Sequence, residues 1–275
     1  MSRLDETMAR LAAEKRKALV AYLCMGDPSQ EASIEHAVAC ANAGADVLEL
    51  GVPFSDPTAD GAAIAQASER ALRAGGGLER AIDAARAIRA RTPVPLLLFG
   101  YYNPIFVRGE SGTVAEAHAA GVDGLLVVDL PVDEAAPLRA LCKQNALSLV
   151  PLLSPTSSAA RVEATARAVR EVPPGFVYYV SLTGVTGAAE PRVAQRSAAS
   201  GLEHEWLAEA GARAAELRAA IGAPVVVGFG IDTPDKARAA SRGADGVVVG
   251  SALVRLVASG RDPSGLVRDL RRAID

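Results

Sequence analysis

The chain has 275 residues, 50% of them apolar and 22% charged, with 29 basic against 32 acidic side chains and a formal charge of −3. A chain of this length buries roughly three-quarters of its unfolded surface, so a full core forms without a staple. The slight acidity excludes a nucleic-acid footprint, which needs a basic excess or stripe. Cys24, Cys40 and Cys142 are too few and scattered for a disulfide framework, and His36, His118 and His204 complete no metal-ligand cluster with them. No apolar run approaches the ~20 residues that span a bilayer. The charged N-terminus lacks the apolar stretch of a secretory signal. The expectation is a soluble, cytoplasmic protein with no nucleic-acid or membrane partner and no metal.

In chain order, the first element is a short helix with Leu4, Met8 and Leu11 on one face. Eight short apolar runs follow: Ala18–Met25, Asp46–Val52, Val94–Tyr101, Gly124–Leu130, Leu147–Leu153, Gly175–Ser181, Pro224–Gly230 and Gly246–Gly250. Most are continuous rather than alternating, the pattern of parallel strands buried on both faces. Between them lie Ala-rich amphipathic stretches at Pro28–Ala43, Ala62–Ala74, Leu78–Arg91, Gly112–Ala120, Ala135–Asn145, Ala159–Arg170, Glu205–Ile221 and Pro234–Ser241. Asp27-Pro28 and Thr233-Pro234-Asp235 are helix-start chemistry. Gly44-Ala45-Asp46, Gly121-Val122-Asp123 and Gly243-Ala244-Asp245 each set a helix-ending glycine before a strand. Eight strand–helix units within residues 18–254 point to a single (β/α)8 TIM barrel over residues 1–275. The first helix would cover its floor. An open doubly wound sheet is the alternative. Residues 188–205 form a long irregular stretch after the sixth strand, readable as a mobile lid or as a simple insertion.

Active sites of such barrels lie at the C-terminal ends of the strands. Glu49 sits near the end of the second, in Val47-Leu48-Glu49-Leu50-Gly51. Alternation turns it away from Leu48 and Leu50, toward the barrel interior. Burial there would raise its pKa and suit it to proton transfer, although a salt-bridged structural glutamate is equally consistent. Asp60, in the loop that follows, reads as a second carboxylate or as an Asp-Gly turn. Thr183-Gly184-Val185-Thr186-Gly187, Gly228-Phe229-Gly230 and Gly250-Ser251 follow the sixth, seventh and eighth strands, where a backbone cradle and a helix N-terminus hold phosphate. Tyr101, Tyr102, Tyr178 and Tyr179 could wall a planar ligand or fill the core. Asp129 is a ligand contact or a loop-orienting acceptor, Cys24 an inert buried thiol, and Trp206 a packing residue.

The run Leu48-Glu49-Leu50-Gly51-Val52-Pro53-Phe54-Ser55-Asp56-Pro57-Thr58-Ala59-Asp60-Gly61 resembles the signature of the tryptophan synthase α-chain family. The likeness extends through Gly26-Asp27-Pro28, Tyr101-Tyr102-Asn103-Pro104, Asp129-Leu130-Pro131 and the three glycine loops. It implies a lyase that splits indole-3-glycerol phosphate into indole and glyceraldehyde 3-phosphate. Glu49 then matches the catalytic proton carrier, and Asp60 the acceptor of the indole N–H. Gly187, Phe229, Gly230, Gly250 and Ser251 match the phosphate cradle, and Tyr22, Phe99, Tyr178 and Thr186 the indole pocket. The resemblance implies no cofactor in this chain. Pyridoxal phosphate is expected only in a partner tryptophan synthase β chain, within an α2β2 heterotetramer that Pro53, Asp56 and Tyr102–Phe106 would face. The chain departs from the family at Ala62, where Pro is usual, at Cys24, where Thr is common, and in the length of residues 188–205. A sugar-phosphate isomerase and a non-catalytic partner of the β chain are the alternative readings.

Overall fold

A computed structural model of the chain describes residues 2–180, 203–228 and 230–275, without the side chains of residues 203–205. Its strands are β1 (Ala18–Cys24), β2 (Val47–Gly51), β3 (Leu96–Gly100), β4 (Gly124–Val127), β5 (Ser148–Leu149), β6 (Leu152–Leu153), β7 (Val177–Val180), β8 (Val225–Gly228) and β9 (Gly246–Val249). Helices α1 (Arg3–Ala13), α2 (Gln30–Asn42), α3 (Ala62–Arg73), α4 (Leu78–Arg89), α5 (Tyr102–Arg108) and α6 (Glu110–Ala119) belong to the first half. The second half contributes α7 (Ala136–Gln144), α8 (Ala159–Glu171), α9 (Glu203–Ile221), α10 (Pro234–Ser241), α11 (Ser251–Ala258) and α12 (Ser264–Ile274).

All strand pairings are parallel, in the order β5-β4-β3-β2-β1-β9-β8-β7-β6. The two ends of that order, β5 and β6, are halves of one predicted strand, Leu147–Leu153. Pro151 has no N–H to give to a ladder, so the strand breaks at Val150-Pro151. The Val150 N–H still donates to Leu125 on one side (2.9 Å), and the Pro151 carbonyl accepts from the Tyr178 N–H on the other (2.9 Å). This segment therefore closes the sheet into the expected barrel.

Strand alternation divides the core in two. Val20, Val47, Leu97, Leu126, Val150, Phe176, Val226 and Val248 fill the interior, and Leu4, Met8 and Leu11 of α1 pack beneath them as the floor. Outward residues such as Leu19, Leu48, Leu50, Leu98, Val177 and Val247 bury against the ring of helices. The floor helix is pinned at several strand starts. Ser2 and Asp5 form a capping box, Asp5 accepts from the Gly175 N–H at 2.8 Å, and the Ser2 and Ser148 hydroxyls lie 2.7 Å apart.

Three helices have no range in the predicted set: α5, α12 and α11, the last expected only as a helix N-terminus at Gly250-Ser251. α5 is one short stretch cut from α6 at Gly109, whose φ of +96° suits glycine alone. α12 buries Val267, Leu270 and Ile274 at helical spacing against α2 and α10. Its period was legible but fell after the last predicted strand–helix unit.

The repeated Gly-x-Asp phrases do more than turn the chain. Asp46, Asp123 and Asp245 each accept the first ladder N–H of the neighbouring strand, from Leu19 (2.9 Å), Leu96 (2.9 Å) and Val225 (2.8 Å). The same aspartates donate their own N–H back to the carbonyls of those three residues, at 2.8 Å in each case. An arginine from a helix completes each clamp: Arg271 on Asp46 (2.7 Å), Arg89 on Asp123 (2.7 Å) and Arg218 on Asp245 (2.6 Å). Burial raises the carboxyls of Asp46 and Asp123 above their ordinary pKa, and their hydrogen bonds and arginines only partly oppose it. The clamps therefore fix register more than they add net stability.

Replacing Asp123 with Ala removes the acceptor of the Leu96 N–H and the carboxylate partner of Arg89, which keeps only the Gly121 and Thr92 carbonyls, and it opens the β3–β4 start. We expect a loss of about 3 kcal/mol, read as a lower urea midpoint at unchanged slope. A loss under about 1 kcal/mol would contradict the clamp.

Candidate active site

At the mouth of the barrel the apolar interior gives way to carboxylate and aromatic side chains. Register places Tyr22 of β1 opposite Glu49 of β2, and Glu49 opposite Leu97 of β3; one step up, Gly51 faces Phe99. Glu49 points inward, as alternation requires, and is 1% exposed. Neither of its carboxyl oxygens has a hydrogen-bond partner. Burial alone pushes its pKa up to about 8, so the group holds its proton at neutral pH. The salt-bridged alternative has no cation to support it among the described residues.

Asp60 ends the loop from Val52 and precedes Gly61, the N-cap of α3. Two turn bonds shape this loop, Thr58 N–H to Asp56 at 2.8 Å and Asp60 N–H to Pro57 at 3.1 Å. Burial raises the Asp60 carboxyl to about 6, against a hydrogen bond from the Tyr101 hydroxyl that favours its anion. The Asp60 carboxylate is thus ionised at pH 7 where Glu49 is not. Ala62, at the family's usual proline position, is the first residue of α3, and the helix starts there without the preset φ of a proline.

Aromatic rings bound the space. Tyr22 and Phe99 meet edge to face with centroids 5.3 Å apart. Tyr178 lies across Gly228, and Tyr22 across Gly51; a Cβ on either glycine would overlap the phenol above it. Burial lifts both tyrosine hydroxyls well above their ordinary range, with the Glu49 and Asp60 charges adding to it. Tyr22, Phe99 and Tyr178 thus share the site with Glu49. Tyr179 does not: it faces outward into the helix layer. Tyr102 opens α5, where its N–H donates to Asp129 at 2.8 Å and its hydroxyl to Glu110 at 3.0 Å. Asp129 therefore acts as a loop-orienting acceptor.

Gly230 and Gly250-Ser251 lie at the ends of the adjacent strands β8 and β9. Gly230 has a φ of +67°, and Gly250 caps the N-terminus of α11. Trp206 packs beside Gly230, as a structural residue. Gly187, Phe229 and Thr186 lie outside the described residues, as does most of 188–205. Cys24 is an inert thiol, raised to about 12 by burial. No group of three metal-ligating side chains occurs among the described residues.

One tie had no signal in the sequence. Asp27, of Gly26-Asp27-Pro28, is buried and takes both arms of a bidentate bridge from Arg70 of α3, each at 2.8 Å. It fastens the loop after β1 to the helix that begins just beyond Asp60.

A closed parallel barrel with a buried, unpartnered glutamate, a second carboxylate and glycines at its C-terminal mouth has the layout of a barrel enzyme. The family model described as "Tryptophan synthase alpha chain" matches residues 8–272. A tryptophan synthase alpha chain of Geobacter sulfurreducens is 47% identical, over 100% of this chain and 99% of the relative. A Legionella pneumophila tryptophan synthase subunit alpha superposes with a TM-score of 0.85 at 34% identity, covering 100% of this chain and 99% of that one. A Mycobacterium tuberculosis tryptophan synthase structure gives 0.84 at 33% identity, covering 99% and 98%. The chain belongs to the tryptophan synthase α-chain family, lyases that cleave indole-3-glycerol phosphate to indole and glyceraldehyde 3-phosphate in tryptophan biosynthesis.

The raised Glu49 pKa has a consequence for stability. An ordinary glutamate ionises near 4.5, whereas Glu49 does so at about 8. Its contribution is fully present below pH 4.5 and is lost as pH rises through about 8, by as much as ~5 kcal/mol. Glu49→Gln keeps the shape and cannot ionise, so its advantage in urea midpoint over the wild type grows between pH 5 and pH 9. Parallel pH curves for the two proteins would contradict the buried neutral carboxyl.

Proposed function

We propose that Glu49 and Asp60 divide the proton work of this cleavage. The protonated Glu49 delivers its proton to indole C3, giving the indolenine. Its carboxylate then takes the proton of the C3′ hydroxyl as the C3–C3′ bond breaks. The bond pair returns to the indole ring, the carbonyl of glyceraldehyde 3-phosphate forms, and Glu49 is protonated again. Asp60 accepts from the indole N–H and balances the positive charge of the indolenine. Two carboxyls in different surroundings, one desolvated without partners and one hydrogen-bonded, are what such a division requires. The unpartnered, buried Glu49 is the observation that carries the reading.

Tyr22, Phe99 and Tyr178 wall the indole in this reading, with Thr186 as a further candidate. Gly230, Gly250 and Ser251 hold the phosphate, together with Gly187 and Phe229. The helix dipole of α11 and backbone N–H groups supply the positive end of that cradle. The partner is a tryptophan synthase β chain, the subunit that carries pyridoxal phosphate in this family, in an α2β2 heterotetramer in the cytoplasm. Phe106 and Val107 of α5, 63% and 76% exposed, support a docking face there. Val107, with Asn103, Pro104 and Arg108, borders an open groove of about 410 Å³ running to Gly75–Gly77.

The mechanism needs Asp60 ionised and Glu49 protonated. Indole release from indole-3-glycerol phosphate should rise through about pH 6 and fall through about pH 8 in kcat/KM. Glu49→Gln should lower release at least ~100-fold while still stimulating a β chain supplied with serine. Release by the Gln variant near the wild-type rate would remove Glu49 from the mechanism. A wild-type chain silent with and without the β chain would favour the partner-only reading.

A further inference from the structure

Tyr101 stands just beyond the end of β3 and is 4% exposed. Its hydroxyl accepts the Ala59 N–H at 3.0 Å and donates to the carboxylate of Asp60. Its ring stacks on Phe54, with centroids 4.8 Å apart and planes 25° apart. Phe54 and Ala59 belong to the same loop. A single side chain thus grips the loop near its start, through the ring, and at its end, through the hydroxyl.

Tyr101 is itself fixed from behind. The next residue, Tyr102, gives its N–H to Asp129 at the end of β4. Where Tyr101 sits is therefore set by β3 and β4, the rigid barrel, and not by the loop that it holds. A carboxylate on a loop needs such an external reference if it is to meet a ring N–H within hydrogen-bond reach.

We propose that Tyr101 is a positioning residue for Asp60: its phenol orients the carboxylate toward the indole N–H. This rests on the role proposed for Asp60. The hydroxyl has one proton and two lone pairs, so it can accept from the backbone and donate to the carboxylate together. Loss of the phenol removes a donor that opposes the burial of Asp60, and the Asp60 pKa must then rise. Other ionisable groups facing Asp60 are Tyr22 and Cys24 from β1 and Tyr178 from β7. Tyr22 also feels the Tyr101 phenol, but the Tyr178 and Tyr22 hydroxyls stay protonated throughout the working range.

The test is Tyr101→Phe, which keeps the ring and its stack on Phe54. Indole release is followed from pH 5 to pH 9, beside the wild type, Asp60→Asn and the double variant. We expect kcat/KM at pH 7 to fall about tenfold and the acid limb to move up by about one pH unit. In the Asp60→Asn background the same change should cost less than about twofold, because its target is gone. An unmoved acid limb, or a loss of equal size in both backgrounds, would overturn the proposal and leave Tyr101 as loop packing. Should the Phe variant not fold, a ring-fluorinated tyrosine at 101 strengthens the donor with little change of shape. The acid limb must then move to lower pH, and a limb that stays in place overturns the proposal. Failure of the wild type to release indole would instead count against the assigned roles of Glu49 and Asp60.

Discussion

Glu49 carries a carboxyl into a place where nothing answers it. Two oxygens without hydrogen-bond partners at the top of an apolar barrel interior favour the neutral acid, and burial is the sole cause of the shift. Much of the mouth maintains that condition. Phe99 and the rings of Tyr22 and Tyr178 exclude water, and Gly51 and Gly228 make room for the two phenols. Leu97 stands opposite Glu49 in the register of β2 and β3. A lysine or arginine placed here would remove the proton that the mechanism uses, and none is found beside Glu49 among the described residues.

Holding one strand residue inward is a matter of register. Side chains alternate, so a slip of one residue in β2 would send Glu49 into the helix layer and Leu48 or Leu50 into the mouth. The Asp46 clamp acts on that pairing. It bonds Leu19 of β1 through both backbone and side chain, and it is closed by Arg271 from α12. Asp123 and Asp245 repeat the device for β3–β4 and β8–β9. The floor of the barrel thus determines the chemistry available at its mouth. Asp60, on a loop, has no such clamp of its own and borrows the barrel's rigidity through Tyr101 and through the Asp27–Arg70 bridge.

Local pattern made the strands, the barrel and the inward direction of Glu49 readable. Continuous apolar runs, alternation and glycine-ended helices are properties of neighbouring residues, and they survive in the fold almost unchanged. What escaped depends on residues far apart in sequence. The Gly-x-Asp phrases read as turns because their arginines are distant; Arg271 is 225 positions from Asp46. Tyr101 read as one of four aromatics near strand ends, and only three-dimensional placement separates it from Tyr178 in the pocket and Tyr179 outside it. The break at Pro151 was visible as a proline in a strand, yet its use as the closing seam required the order of the sheet. Family resemblance supplied the roles of Glu49 and Asp60, whereas the environments that fit those roles came from the structure.

The most direct test of this account is the protonation state of Glu49 itself. Carbon-13 resonances of labelled glutamate carboxyls, titrated from pH 4 to pH 9 and assigned with Glu49→Gln, report it without reference to turnover. One carboxyl that stays protonated at pH 7 and ionises near pH 8, and that vanishes in the variant, is the predicted result. A Glu49 carboxyl that ionises below pH 5 would contradict the desolvated acid on which the mechanism rests.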